Sequence, residues 1–272
     1  MHRSLSPGRR PASAAYERFL MSSFTGADKA APAAVLLSDN RAALGRQPNL
    51  FERLDERDRQ LLLTRAKRQV VYRGKPLMRQ GDAHHGICLI ESGVVRSFYM
   101  APTGRVITLA YWHHGNFVGG PQIYGGGEHL WSAVAVKTSV VLALSGRDVR
   151  DLMETSHGFS MGIVDCLIFK AKCYAVLAQM LGTRSASERL AQLLVNLCDL
   201  YGASKGNAIE IEAAFSHRDL ANMIGATRQW VTASLKRLRE QDVIDFGSSG
   251  LIVKRIDLLS SGMPAESDNT AI

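Results

Sequence analysis

Between residues 70 and 145 the chain is written as short apolar runs, broken by glycine at Gly74, Gly81, Gly86, Gly93, Gly104, Gly115, Gly119–Gly120 and Gly125–Gly127. Breaks about ten residues apart leave no room for long helices. Val, Ile, Tyr and Phe within the runs suit pleated strands, so this stretch predicts a multi-stranded antiparallel roll or barrel. Ser92-Gly93, between the runs Ile87–Ile90 and Val94–Tyr99, predicts a tight hairpin turn that needs a positive φ. Near Ser156 the period changes. Val164, Leu167, Ala171, Tyr174, Ala178 and Leu181 follow at spacings of 3, 4, 3, 4 and 3. Such an a/d seam predicts a long helix that pairs with another helix, most simply that of a second copy of the chain. Phe169 and Leu177 lie off the seam and must be covered by the rest of the same chain. A second helix, Ser187 to Tyr201, carries Leu190, Leu193, Leu194 and Leu197 on one face.

A length of 272 residues accommodates two modest domains. Hydrophobic residues make up 46% and charged residues 21%, which excludes a wholly disordered chain. No apolar run approaches ~18 residues, and no apolar core with a cleavage site follows the N-terminus, so a cytoplasmic protein without a membrane span is expected. Cys88, Cys166, Cys173 and Cys198 are far apart, which fits a reducing compartment rather than a disulfide framework or a zinc site. The formal net charge is +8, which favours a polyanionic partner. Residues 1–48 hold seven basic against three acidic side chains, half of that net charge, in a stretch rich in Ala, Ser, Pro and Arg. They are expected to form a largely disordered basic extension with a short helix near Tyr16–Phe24, and Met21 offers an alternative initiator. Leu50 to Gln69 reads as short helical packing, with Asp55 as a cap. The expected organisation is therefore the extension, a β-domain over 49–155, a dimerisation helix over 156–183, a C-terminal domain over 184–258 and a disordered tail over 259–272.

Phe215 to Val253 is the most informative stretch. Ser216-His217-Arg218-Asp219 has the pattern of a capping box opening a short helix with Leu220, Met223 and Ile224 inward. Gly225 ends that helix, and Thr227 caps a second, Arg228 to about Gln241, with Val231, Leu235 and Leu238 on its apolar face. Two short helices joined by a glycine turn make a helix-turn-helix, and Val243–Phe246 with Leu251–Val253 flank a small wing. A helix fits the major groove of B-DNA and reads bases from its N-terminal end. Arg228 can donate twice to guanine and Gln229 can pair with adenine. Thr232 lies on the same exposed side. The helix starts at Ser216 and Thr227 suit phosphate oxygens, and His217, Lys236, Lys254 and Arg255 suit the DNA backbone. Trp230 has two readings, packing under the helix or touching thymine methyl groups.

The chain resembles the Crp/Fnr family of bacterial transcription regulators from about Leu50 to Ile256. The matching residues are Arg79-Gln80-Gly81-Asp82, Ile90 to Arg96, Gly104-Arg105 and Gly115 to Gly119 in the β-domain. In the C-terminal part they are Ser187 to Ala191, Ile224 to Val231 and Leu235 to Leu238. The resemblance implies an α+β architecture: a cyclic-nucleotide-binding-like β-roll (jelly roll), a long dimerisation helix and a winged helix-turn-helix. It also implies a homodimer on palindromic double-stranded DNA, RNA polymerase as a partner, a small-molecule effector, and a relay across a hinge near Gly182–Ser185.

The departures carry information. Cyclic-nucleotide binders of the family have a glutamate shortly after the glycine matching Gly119 and an Arg-Ser pair about ten residues on. Here Gly120-Pro121 and Trp131-Ser132 stand in those places. A buried phosphate would then lack its side-chain partner, which argues against cyclic AMP. The family's iron–sulfur sensors use N-terminal cysteines, and none precedes Cys88. The expected effector pocket comprises Gly119, Gly120, His129, Trp131, Ser132 and, by similarity, Tyr174. It would take an organic or aromatic ligand, or be filled by Trp131 itself. Alternatives are a cyclic-nucleotide-responsive regulator, haem sensing through His113, His129 or Cys88, and, more remotely, a cupin-like metal enzyme using His84-His85 and His113-His114. Adjacent strand residues face opposite ways, so neither histidine pair clamps one ion. No catalytic site, metal site or bound cofactor is expected.

Overall fold

A computed structural model of the protein describes residues 36–119, 122–211, 215–247 and 250–260. Eight strands form the β-roll: β1 (Lys67–Val71), β2 (Pro76–Met78), β3 (Gly86–Ser92), β4 (Val95–Met100), β5 (Val106–Trp112), β6 (Phe117–Val118), β7 (Ser132–Ala135) and β8 (Ser139–Ser145). They divide into two antiparallel four-stranded sheets, ordered β1-β8-β3-β6 and β2-β7-β4-β5. On the first sheet Ile87, Leu89, Phe117, Leu142 and Leu144 share one face and pack in a buried cluster with Leu50, Leu62, Leu152, Phe159 and Ile163 from the flanking helical segments.

The sheet order corrects one expectation. β3 pairs with β8 and β6, whereas β4 pairs with β5 and β7. Ser92-Gly93 therefore does not close a hairpin; it carries the chain from one sheet to the other. The positive φ expected there is present, at 93°. A β-carbon on Gly93 would lie 2.6 Å from the Cα of Ser139, so the glycine is also needed for close approach.

The helices begin where their caps predict. α1 (Arg41–Leu44) precedes a 3-10 turn (Leu50–Arg53) and α2 (Glu56–Arg65), whose Asp55 cap accepts from the Asp58 amide at 2.7 Å. α3 (Gly146–Thr155) and α5 (Ala186–Tyr201) each start with a complete capping box, Ser145 with Asp148 and Ser185 with Glu188. Between them runs α4 (His157–Thr183), 27 residues long and thus ~40 Å. Its buried face is Phe159, Ile163, Cys166, Phe169, Lys170, Cys173, Leu177 and Met180.

Residues 36–48 do not belong to a disordered extension. Leu36, Leu37 and Leu44 are buried, and the Asn196 side chain donates to the carbonyls of Leu36 (2.8 Å) and Ser38 (3.0 Å). Three leucines spaced to cover one edge of α4 and α5 outweigh the polar composition around them. The remainder of that extension, with the helix expected near Tyr16–Phe24, lies outside the described residues. At the other end α8 (Ile256–Ser260) buries Leu259, so residues 259 and 260 are not part of the tail expected from 259, and 261–272 lie outside the described residues.

Candidate nucleic-acid interface and effector cavity

The C-terminal unit is α6 (His217–Ile224), α7 (Arg228–Glu240) and a sheet ordered β11-β12-β10-β9, made of β9 (Gly202–Lys205), β10 (Ala208–Ile211), β11 (Ile244–Phe246) and β12 (Leu251–Val253). The Ser216 hydroxyl accepts from the Asp219 amide at 3.2 Å, while the Ser216 amide donates back to the Asp219 carboxylate at 3.1 Å. Gly225 stands in the left-handed region (φ 67°, ψ 34°), where its N–H reaches the Ala221 carbonyl and turns the chain. Thr227 caps α7 by accepting from the Trp230 amide at 3.1 Å. Val231, Ser234, Leu235 and Leu238 pack inward, leaving Arg228, Gln229, Thr232 and Lys236 exposed on the opposite side.

These polar side chains are not equally free. Arg228 and Gln229 make no side-chain hydrogen bond or ion pair among the described residues, and they stand at the positive end of the α7 dipole. Lys236 lies 3.6 Å from Glu240, Lys254 pairs with Asp242 and Asp245, and Arg255 pairs with Asp257. All are surface pairs that a phosphate can replace at little cost. The Thr232 hydroxyl donates to the Arg228 carbonyl (2.9 Å) and so accepts from Nδ1 of His217 (2.9 Å). Burial, and then the Arg228 charge, lowers the His217 pKa from its ordinary value. In this arrangement His217 holds Thr232 in place through Nδ1 and leaves Nε2 free of this bond. Trp230 is half-buried against the hydrophobic core, in keeping with the first of its two readings.

The turn of this unit rests on the β-roll. Arg105, in the β4–β5 loop, donates to the Gly225 carbonyl. Arg96 on β4 faces Asp219 at 3.8 Å, both essentially inaccessible. Arg189 on α5 donates to the Ile224 carbonyl at 2.8 Å. The Gly182–Ser185 segment joins α4 to α5, and here Arg184 is bonded to Asp39.

In the β-roll the expected pocket residues separate into two places. Gly119, Trp131 and Tyr174 line a cavity of about 230 Å³ between the roll and α4, together with Ser97, Trp112 and Lys170. The Trp131 and Tyr174 rings lie 5.8 Å apart, and burial raises the Tyr174 hydroxyl far above its ordinary range. His129 is not in this cavity. Its ring lies 4.3 Å from that of His84, tilted by 44°, and it lines an outer groove of about 470 Å³ with Cys88 and His85. Burial and the neighbouring His84 lower its pKa to about 4, so the ring is neutral at pH 7. Burial pushes the Cys88 thiol up to about 11, so it keeps its proton at pH 7. Ser132 is buried in β7, where its hydroxyl accepts from the Gln80 amide at 3.0 Å. Gly120 lies outside the described residues. No group of three or more His, Cys, Asp or Glu side chains suits a metal ion among the described residues.

Lys170 escaped the sequence reading. Its ammonium sits over the Trp112 ring at 3.3 Å and near the Phe117 ring at 4.9 Å. A usable signal was its spacing. Cys166, Lys170, Cys173 and Leu177 follow at 4, 3 and 4, which puts the lysine on the buried face of α4.

The family model for the cyclic nucleotide-binding domain matches residues 68–156, and that for the Crp-like helix-turn-helix domain matches 188–261, together more than half of the chain. The chain belongs to the Crp/Fnr family of transcription regulators. Within the family it is 28% identical to the cyclic AMP receptor protein of Thermus thermophilus over 210 residues, covering 77% of this chain and 94% of that protein. Among solved structures it superposes on a CooA variant from Carboxydothermus hydrogenoformans with a TM-score of 0.63 at 20% identity, covering 79% and 96% of the two chains. OCPA-complexed CprK superposes with a TM-score of 0.61 at 18% identity, covering 77% and 94%. These two share its fold. As a family member the protein is a DNA-binding transcription regulator with a cyclic-nucleotide-binding-like domain, and its homologues are regulators rather than enzymes. No helix among the described residues is long and apolar enough to cross a membrane.

Proposed function

We propose that the protein works in the cytoplasm as a homodimer on a palindromic duplex site, with RNA polymerase as a further partner. In this reading the cavity beside α4 takes a small-molecule effector other than cyclic AMP. The observation that carries the dimer is the accessibility of the seam. Val164, Ala171 and Ala178 are exposed, and Leu167, Tyr174 and Leu181 are half-buried, along the edge of α4 beside its buried face. Ile168 beside them is 51% exposed. An unpartnered apolar stripe of this length suits a second α4, and two-fold pairing would set two α7 helices ~34 Å apart on DNA.

The reading of the effector rests on the cavity. Its described lining has an indole where a cyclic-nucleotide binder has an arginine, so a phosphodiester would meet no guanidinium. Leu167, Ala171 and Tyr174 belong both to the seam and to the cavity wall. A ligand that moves them moves the dimer contact, which gives a physical route from cavity to reader.

The test is selection from a random duplex library with purified protein, without and with cyclic AMP. A palindromic motif enriched equally in both arms is expected. Enrichment only with cyclic AMP would overturn the effector reading. In the selected motif Arg228→Ala should cost about 1–3 kcal/mol of affinity and relax the preference at one base pair per half-site. Light scattering should give twice the 29.7 kDa chain mass, falling to one chain in a Val164→Glu, Ala178→Glu double variant.

A further inference from the structure

Lys170 is a buried basic side chain, 6% exposed, with no counter-ion among the described residues. Among the described residues its ammonium makes no hydrogen bond and no ion pair. Its company is the rings of Trp112 and Phe117, and the described cavity wall beside it holds no carboxylate. The flanking thiols on α4 do not neutralise it. Burial pushes both Cys166 and Cys173 up to about 11, so each keeps its proton at pH 7, as does Tyr174. From the strands the neighbours are Ser97, Trp112 and Phe117, all uncharged. Ser97 accepts the Trp112 indole hydrogen at 3.0 Å, and its own hydroxyl hydrogen has no acceptor among the described residues.

An ammonium removed from water with no anion beside it is costly to the fold, and the cation–π contacts offset only part of that cost. A protein built only to fold would place Met or Leu here. The cavity next to the charge has about 230 Å³, where about 150 Å³ already admits benzene. Trp131 and Tyr174 supply aromatic walls at the other side. Resting on the reading of this cavity as the effector site, we propose that it binds a small aromatic carboxylate, with the ring in the cavity against Trp131 and Tyr174 and the carboxylate on the Lys170 ammonium and the Ser97 hydroxyl. A carboxylate is ionised throughout the neutral range, so it supplies the missing counter-charge without a proton rearrangement of its own.

Burial also lowers the Lys170 pKa to about 7, leaving the free site largely uncharged at pH 8. An arriving carboxylate favours the ammonium again, so binding at pH 8 should draw up to about one proton from solution.

The experiment is calorimetric titration of the full-length dimer at pH 8 with benzoate, phenylacetate, benzamide and acetate, repeated in buffers of different ionisation heat. Benzoate or phenylacetate should bind at least ten-fold more tightly than benzamide, which has the ring without the charge, and than acetate, which has the charge without the ring. Proton uptake should accompany only the aromatic acids. Lys170→Met should fold, since it removes a buried charge, and should lose the preference over benzamide together with the proton uptake. Equal binding of benzoate and benzamide would overturn the role of Lys170 while leaving an effector cavity. No binding of any aromatic acid to the wild-type protein would overturn the ligand class. Neither result bears on the duplex selection, which tests the regulatory reading separately.

Discussion

Arg96 and Lys170 are two buried basic side chains that lie where the β-roll meets other parts of the chain, and they are treated differently. Arg96 sits where the roll meets the DNA reader, with Asp219 at 3.8 Å and the Phe98 ring 5.5 Å from its guanidinium. Lys170 sits where the roll meets α4, with aromatic rings on one side and a cavity on the other. The paired cation is a structural joint, because its counter-ion comes from the same chain and arrives with folding. The unpaired one is a place for something that arrives later. The choice of residue agrees. Arginine stays charged wherever it is put, whereas lysine can shed its proton until an anion appears.

The largest effect expected from this contrast is on the paired side. Asp219→Ala leaves Arg96 buried without its carboxylate and removes half of the Ser216 capping box, so urea unfolding should show a loss of about 3–5 kcal/mol. A loss below ~1 kcal/mol would mean that Arg96 is no more dependent on a partner than Lys170, and the contrast would collapse.

The opposite sign is expected at Lys170. Replacing it by Met should stabilise the ligand-free protein by about 1–4 kcal/mol. The gain should depend on pH in a defined direction. Because the folded pKa lies near 7, below the ordinary 10.5 of the unfolded chain, the unfolded state holds more protons between those values. Wild-type stability should therefore climb from pH 7 towards 10.5 relative to the Met variant, with the full deficit present below pH 7. A difference that does not change with pH would show that Lys170 is solvated.

The smallest effect should come from Arg105, whose one bond to the Gly225 carbonyl ties the reader's turn to the roll. Arg105→Ala should cost about 0.5–1.5 kcal/mol. Amide exchange should rise in α6 and at the start of α7 while β3 and β8 stay protected. Uniform protection would show that the Arg96–Asp219 pair holds the joint alone.

The local grammar of the chain was readable without coordinates. Ser216 with Asp219, Gly225, and Thr227 before Arg228 each act within four residues, so the reading frame of the helix-turn-helix follows from covalent neighbours alone. The change from strand runs to a 3-4 repeat near Ser156 is equally local, and α4 starts at His157. The seam was legible for the same reason. Composition misled at residues 36–48, where three leucines among polar neighbours signal burial only once the faces of α4 and α5 exist to receive them.

What the linear pattern did not contain were meetings between distant segments. Ser92-Gly93 has the chemistry of a hairpin turn, but which sheet each flanking strand joins depends on pairing with β8, β7 and β5. His129 and Trp131 are two residues apart, yet the bend at residues 130–131, just before β7, leaves one in the outer groove and the other in the cavity. Arg96 finds Asp219 more than a hundred residues on. Caps, turns and repeats are set by interactions within a turn or two of backbone. Counter-ions, cavities and sheet partners are set by which apolar faces pack together. Residue order therefore settled the kind of elements and their punctuation, while the packed roll decided that Arg96 has an anion beside it and that Lys170 does not.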